Sequence, residues 1–304
     1  MSEPPQRVPP AIDDSEATLA RIEGGGISLA AERRQQAAGS GRQAFASDLS
    51  VAAFALCHRI GLEPISQVMG SSIYQVGYQP ATWPMMMGGG VITELQTLSE
   101  AWNEARRRAL NRLELEARAA GAHAVVGVKV QRNAHDWAEG AIEYALTGTA
   151  VRRGDRPAPA QPVLTELSVA DFVNLLRAGI EPAGIVAWTS VFFATFETSW
   201  LMGGALGQGA PMANFEVQEY TQAFYSARET VMERLGWQAQ QLAATGIVGV
   251  NVSHRARRQE VGSGNRSRGG LIITFDAAGT AIREDGSPGE FVPKQTLDLS
   301  GDNE

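Results

Sequence analysis

Leu49-Ser50-Val51, Phe54, Arg59, Gly61, Glu63-Pro64, Val68 and Ser72 return as Leu167-Ser168-Val169, Phe172, Arg177, Gly179, Glu181-Pro182, Val186 and Ser190, always 118 residues later. Farther along, Ala105-Arg106, Arg112-Leu113, Ala117 and Val126-Gly127-Val128 reappear as Ala227-Arg228, Arg234-Leu235, Ala239 and Val248-Gly249-Val250, now 122 residues later. Gly148-Thr149-Ala150 and Gly279-Thr280-Ala281 close the copies at an offset of 131. The chain is an internal duplication, and the growing offsets place two loop insertions in the second copy.

Each copy carries the same order of local signals. A short helix is expected near Leu49 to Arg59 and Leu167 to Ala178, with Ser47 or Asp48, and Thr165 or Ser168, as caps for its first N–H groups. Gly61 and Gly179 follow its end, where a left-handed residue is wanted. A Val-, Ile- and aromatic-rich strand runs from Ile65 to Tyr74 and from Ala183 to Phe193, entered through Pro64 and Pro182. Then comes the strongest element, a long helix over about Leu98 to Ala120 and Tyr220 to Ala243. Its apolar stripe is Leu98, Trp102, Ala105, Ala109, Leu113, Ala117 and Ala120, matched by Tyr220, Phe224, Ala227, Val231, Leu235, Ala239 and Leu242. The opposite face, which carries Glu104, Arg107 and Glu114, belongs to solvent, and the acid pair Glu114 and Glu116 reads as solvated too. Two strands finish the unit, Ala124 to Val130 with Ile142 to Val151, and Ile247 to Val252 with Leu271 to Ile282.

A small sheet shielded by one helix is a two-layer unit, so the expected fold class is α+β, two tandem β-α-β-β domains, each with an extra short N-terminal helix. The expected boundaries are a disordered segment at 1–42, with a short helix around Glu16 to Ile22, then a first domain at 43–153. A Pro-rich linker follows at 154–162, a second domain at 163–283 and an acidic disordered tail at 284–304.

The run from Glu104 to Val130, with Ala105-Arg106, Glu116-Ala117, Gly121-Ala122 and Ala124-Val125-Val126-Gly127-Val128, followed by Gly148-Thr149-Ala150-Val151, resembles the YbjQ-like family. The resemblance covers roughly 45 to 153 and 163 to 283. The second copy departs from it, with Ala243-Ala244-Thr245-Gly246-Ile247 where the first has Gly121-Ala122-His123-Ala124-Val125. The resemblance implies a dodecin-like subunit that assembles into rings, pentamers among family members, and it brings a heavy-metal-binding label.

Composition bounds the rest. Of 304 residues 44% are hydrophobic and 19% charged, enough apolar mass for two cores. The formal net charge of −7 argues against nucleic acid as a partner. No basic, apolar leader and no run approaching the ~20 apolar residues of a membrane span is visible, so the expected location is cytoplasmic.

For chemistry, the single cysteine and four histidines are few. Cys57 and His58 are adjacent on a helix and project about 100° apart, a weak metal pair. Met85, Met86 and Met87, beside Trp83, and Trp200, Met202 and Met212 occupy corresponding glycine-flanked loops. Thioethers suit Cu(I), which makes a soft or transition metal ion the candidate cofactor; adaptable apolar contact at a subunit interface, a partner or a membrane surface is the other reading. Arg255, Arg257, Arg258, Arg266 and Arg268 crowd a Gly- and Ser-rich stretch expected to be a solvated hairpin loop or an anion-binding one. No nucleophile, base and acid recur together: Ser71-Ser72 and Thr189-Ser190 repeat without a His, their hydroxyls expected on backbone, and no phosphate-binding loop follows a strand. The sequence therefore reads as a non-enzymatic oligomerisation or binding module, a ring-forming homo-oligomer. Metal binding and a peripheral membrane or scaffold role are the alternatives.

Overall fold

In the computed structural model, which describes residues 12–42, 44–76, 92–135, 141–154, 157–195, 216–261 and 268–284, the chain begins with two helices, α1 (Ile12–Glu23) and α2 (Leu29–Gly39). A disordered start was expected here, and over 12–42 the structure differs. The segment is held by polar contacts, which apolar composition does not register. Gln35 is fully buried; its amide donates to the Gln67 carbonyl (3.0 Å) and to Glu116 (2.8 Å), and accepts from Ser66 (2.5 Å). Glu116, expected in solvent, is likewise buried and accepts from the Met69 N–H at 3.0 Å. Each member of this network is satisfied, which is the condition for burying it.

The first copy runs α3 (Val51–Arg59), β1 (Leu62–Gln75), β2 (Ile92–Glu94), α4 (Gln96–Ala119), β3 (Ala124–His135) and β4 (Ala141–Arg153). The second runs β5 (Val163–Leu164), α5 (Val169–Arg177), β6 (Ile180–Thr195), α6 (Gln218–Gln241), β7 (Gly246–Val261) and β8 (Arg268–Glu284). The short helices are capped by equivalent serines, Ser50 on the Ala53 N–H and Ser168 on the Asp171 N–H. Ser47 and Asp48 are thus not the cap of α3; Asp48 instead pairs with Lys129 (2.7 Å) and accepts from Thr149 (2.9 Å). Gly61 and Gly179 take φ of 71° and 72°, as expected of residues that reverse the chain after a helix.

Among the described residues these strands form two four-stranded sheets, in the orders β1-β4-β3-β5 and β2-β6-β8-β7. Helix α4 lies on the first and α6 on the second. Leu113 and Leu235 are fully buried at equivalent points of the two apolar stripes, among Val68, Ala105 and Leu146 in one core and Val186, Ala227 and Ile273 in the other. Removing such a leucine side chain costs about 2–5 kcal/mol. Gly70 lets α4 rest directly on β1, for a Cβ there would collide with the Ala109 carbonyl.

The opposite face of the first sheet is not left to solvent, as two layers require. Cys57 of α3, Val169, Phe172 and Val173 of α5, and Val126 and Val151 of the sheet form a third apolar cluster. Helices of nine residues are too short to be stable alone, so α3 and α5 gain their structure by packing together here. β4 is consequently buried on both faces along most of its length.

Candidate functional site

The two copies complete one another along a joint built from both directions. β2, which precedes α4, pairs antiparallel with β6 from Ile92↔Ala194 to Glu94↔Phe192. β5, which leads into the second copy, runs parallel to β3 through Ala124↔Val163 and Val125↔Leu164. Between these seams the start of α4 covers the outer edge of β6. Oγ of Ser99 accepts from the Val191 N–H (2.9 Å), and the Leu95 N–H donates to the Val191 carbonyl (2.7 Å). Asn103 accepts from the Thr189 N–H (3.0 Å) and donates to its carbonyl (2.8 Å). An edge strand exposes such groups unless something pairs with them.

A cluster of charges sits behind this edge. Asp276 of β8 meets Nη1 of Arg106 at 3.4 Å and Nη1 of Arg132 at 3.1 Å, and Thr189 donates its hydroxyl to the same carboxylate. Arg106 also donates to the Thr189 hydroxyl (3.3 Å) and to the Asn103 side chain, and the Tyr144 hydroxyl lies 3.3 Å from Thr189. The Arg132 contact is off hydrogen-bond angle, so charge alone holds that nitrogen to Asp276. Aromatic rings floor the cluster: Arg106 stands over Tyr144 (5.7 Å), Arg132 over Trp102 (5.4 Å), and the two rings meet edge to face. Burial and then the charge of Asp276 push the Glu166 carboxyl up to about 7, against the pull of Arg106. Two arginines, Asp276 and a carboxyl that titrates near neutrality thus meet across the joint, and among the described residues no three His, Cys, Asp or Glu side chains converge there.

Of the residues singled out in the sequence, the structure brings few together. Cys57 is buried in apolar surroundings that raise its thiol pKa, while His58 is exposed and packs its ring edge on Phe54 at 4.8 Å. They do not converge, and among the described residues no three His, Cys, Asp or Glu side chains do. These residues do not fit a metal centre. Trp83, Met85, Met86, Met87, Trp200, Met202, Met212 and Arg266 lie outside the described residues. Arg255, Arg257 and Arg258 are exposed, yet on the regular strand β7 rather than in a loop, paired with Thr274, Ile272 and Leu271. Alternation along a strand sends Arg258 to one face and Arg255 and Arg257 to the other, so the three do not form one anion site. Arg268 opens β8. Thr189, expected on backbone, belongs to the charged cluster instead, while Ser190 does bond the Ala227 carbonyl (2.9 Å).

Sequence reading missed Asn103, Arg106, Arg132, Tyr144, Glu166 and Asp276. A signal was present in the aligned copies: Asn103, Arg132 and Tyr144 stand where the second copy has Tyr225, His254 and Phe275, and Asp276 stands where the first has Ala145.

The profile of the YbjQ family, described as "Putative heavy-metal-binding", matches residues 83–153 and 196–284, once in each copy. The chain belongs to the YbjQ family. Among its relatives, the "Encapsulin nanocompartment protein Rv1762c" of Mycobacterium tuberculosis is 34% identical over 276 residues, 89% of this chain and 96% of that protein. The "UPF0145 protein NT01CX_0170" of Clostridium novyi is 39% identical over 93 residues, 30% of this chain and 85% of that protein. That YbjQ relative is thus about one copy long, whereas the mycobacterial protein shares almost the whole tandem. None of these names is that of an enzyme, and no helix among the described residues is long and apolar enough to cross a membrane.

Proposed function

We propose that this YbjQ protein is an assembly module, a homo-oligomeric ring of dodecin-like β-α-β-β units that forms part of an encapsulin-type protein compartment. The observation that carries the reading is the joint itself: β2 and β5 each extend the sheet of the other copy, and the charged cluster around Asp276 locks the seam. A unit of this kind gains from a neighbour, because the outer edge of β6 and one face of α5 are covered by the adjoining unit. The likeness to the encapsulin nanocompartment protein supports the second half, since it spans nearly all of both chains.

Light scattering on the purified chain tests the first half: a mass several times 32.4 kDa is expected, and a monomer at all concentrations overturns it. Co-expression with an encapsulin shell protein tests the second. The chain should co-sediment with assembled shells, and its absence from them removes the compartment from the reading.

The family description supports a second reading, soft-metal binding through Met85, Met86 and Met87. Titration with Cu(I) under reducing conditions decides it. Stoichiometric binding that disappears when all three become Ala sustains the reading, and no binding by the unaltered chain ends it.

A further inference from the structure

We infer that the joint between the two copies is repeated between chains, so that the second copy of one chain docks on the first copy of the next. This rests on the homo-oligomer proposed above and names its surfaces. Several parts of the internal joint have counterparts at the constant offsets that stay exposed in the single chain, while the counterpart of β2, 214–216, lies mostly outside the described residues.

The receiving edge comes first. Val191 of β6, covered by Ser99 and Leu95, is 0% exposed, whereas its equivalent on β1, Ile73, is 59% exposed. The helix that would cover it carries the matching groups. Thr221 of α6 stands where Ser99 does in α4 and keeps the hydroxyl, and the exposed Tyr225 replaces Asn103. Arg228, the equivalent of buried Arg106, is exposed as well.

The second seam shows the same contrast. Val169 of α5 is 3% exposed against the first sheet, and its equivalent on α3, Val51, is 87% exposed. On the strand side Val128 is 4% exposed and its equivalent on β7, Val250, 39%. Residues 45–46 precede α3 as β5 precedes α5, which places Phe45 and Ala46 to extend the second sheet of the preceding chain beside β7. Large exposed apolar residues thus fall at both faces of a joint whose internal copy buries them.

The two versions differ in chemistry. Asp276 is replaced by Ala145 and Tyr144 by Phe275, and His254 lies between Phe224 (5.4 Å) and Phe275 (6.4 Å) where Arg132 stands over Trp102. The joint between chains is aromatic where the one within the chain is ionic, so the second copy's charged edge does not substitute for the first copy's apolar one. The contact is head to tail, and any ring it closes holds an even number of units because every chain contributes two.

Mixing complementary variants tests this. Val51→Asp/Ile73→Asp spoils only the receiving face and Tyr225→Asp/Val250→Asp only the docking face, all at exposed positions. Each variant alone should fall to 32.4 kDa by light scattering, and a 1:1 mixture should rise to a dimer and grow no further. If the unaltered chain is oligomeric and both variants keep its mass, other surfaces assemble it; the inference is then wrong and the homo-oligomer stands. If the unaltered chain is a monomer, both fall. A Thr221→Cys/Ile73→Cys chain, treated with a short bis-maleimide, should give a ladder of multiples on a denaturing gel, and a single band overturns the assignment even where the charged variants fail to fold.

Discussion

Arg106 on the helix of the first copy and Asp276 on the last strand of the second lie 3.4 Å apart, across 170 residues of chain. The guanidinium is buried and the carboxylate half-buried, and Arg132 shares the same oxygen. A desolvated pair of this kind adds modest net stability, but removing one partner strands the other charge.

Arg106→Ala is therefore expected to destabilise the chain by about 3–5 kcal/mol, toward the lower end because Arg132 still faces Asp276. Urea denaturation measures it. Asp276→Ala should cost a similar amount, and the double variant less than the sum, because the two losses overlap. Additive losses would mean that the pair is not coupled.

Glu166 predicts a pH dependence. Its carboxyl titrates near 4.5 in the unfolded chain and near 7 in the fold, so folding favours the protonated form. The associated stability is fully present below about pH 4.5 and is lost as pH rises toward 7, the reverse of a carboxylate held in a salt bridge. Glu166→Gln should raise the melting temperature at pH 8 relative to the parent and leave it nearly unchanged at pH 4. Equal shifts at both values would exclude this assignment.

Gly70→Ala should destabilise by about 1–3 kcal/mol, since the added carbon meets the backbone of α4 rather than a side chain that can swing away. The second copy carries Trp188 at this point, with Arg234 over its ring at 5.2 Å. Thermal unfolding of the Gly70 variant checks the claim, and an unchanged midpoint refutes it.

Cys57 should resist thiol reagents in the native protein. It is fully buried between α3, α5 and the first sheet, and burial raises its thiol pKa. Labelling by a disulfide reagent at pH 8 is expected to follow the opening of this cluster, accelerating with urea. Fast labelling in buffer alone would show that α3 leaves the sheet readily.

Much of the fold was readable because the chain states it twice. The helical stripe through Leu113 and Leu235, the strands beginning at Ala124 and Gly246, and the glycines after the short helices are local patterns, and periodicity reveals which face of an element is buried. α2 escaped that reading because Gln35 and Glu116 anchor it by hydrogen bonds, which leave no apolar period. β2 and β5 escaped it because strands of three and two residues have no period to detect.

Duplication, the order of the longer elements in each copy and the two apolar cores under the long helices were thus set by the amino-acid sequence alone. Which copy completes which sheet was decided only in three dimensions. Two equivalent edges, β1 and β6, offer nearly the same local pattern, and a pattern says that an edge wants a partner without saying whose. The choice falls to contacts such as Asn103 with Thr189 and Arg106 with Asp276, between residues 86 and 170 positions apart, which exist only once both copies are folded against each other.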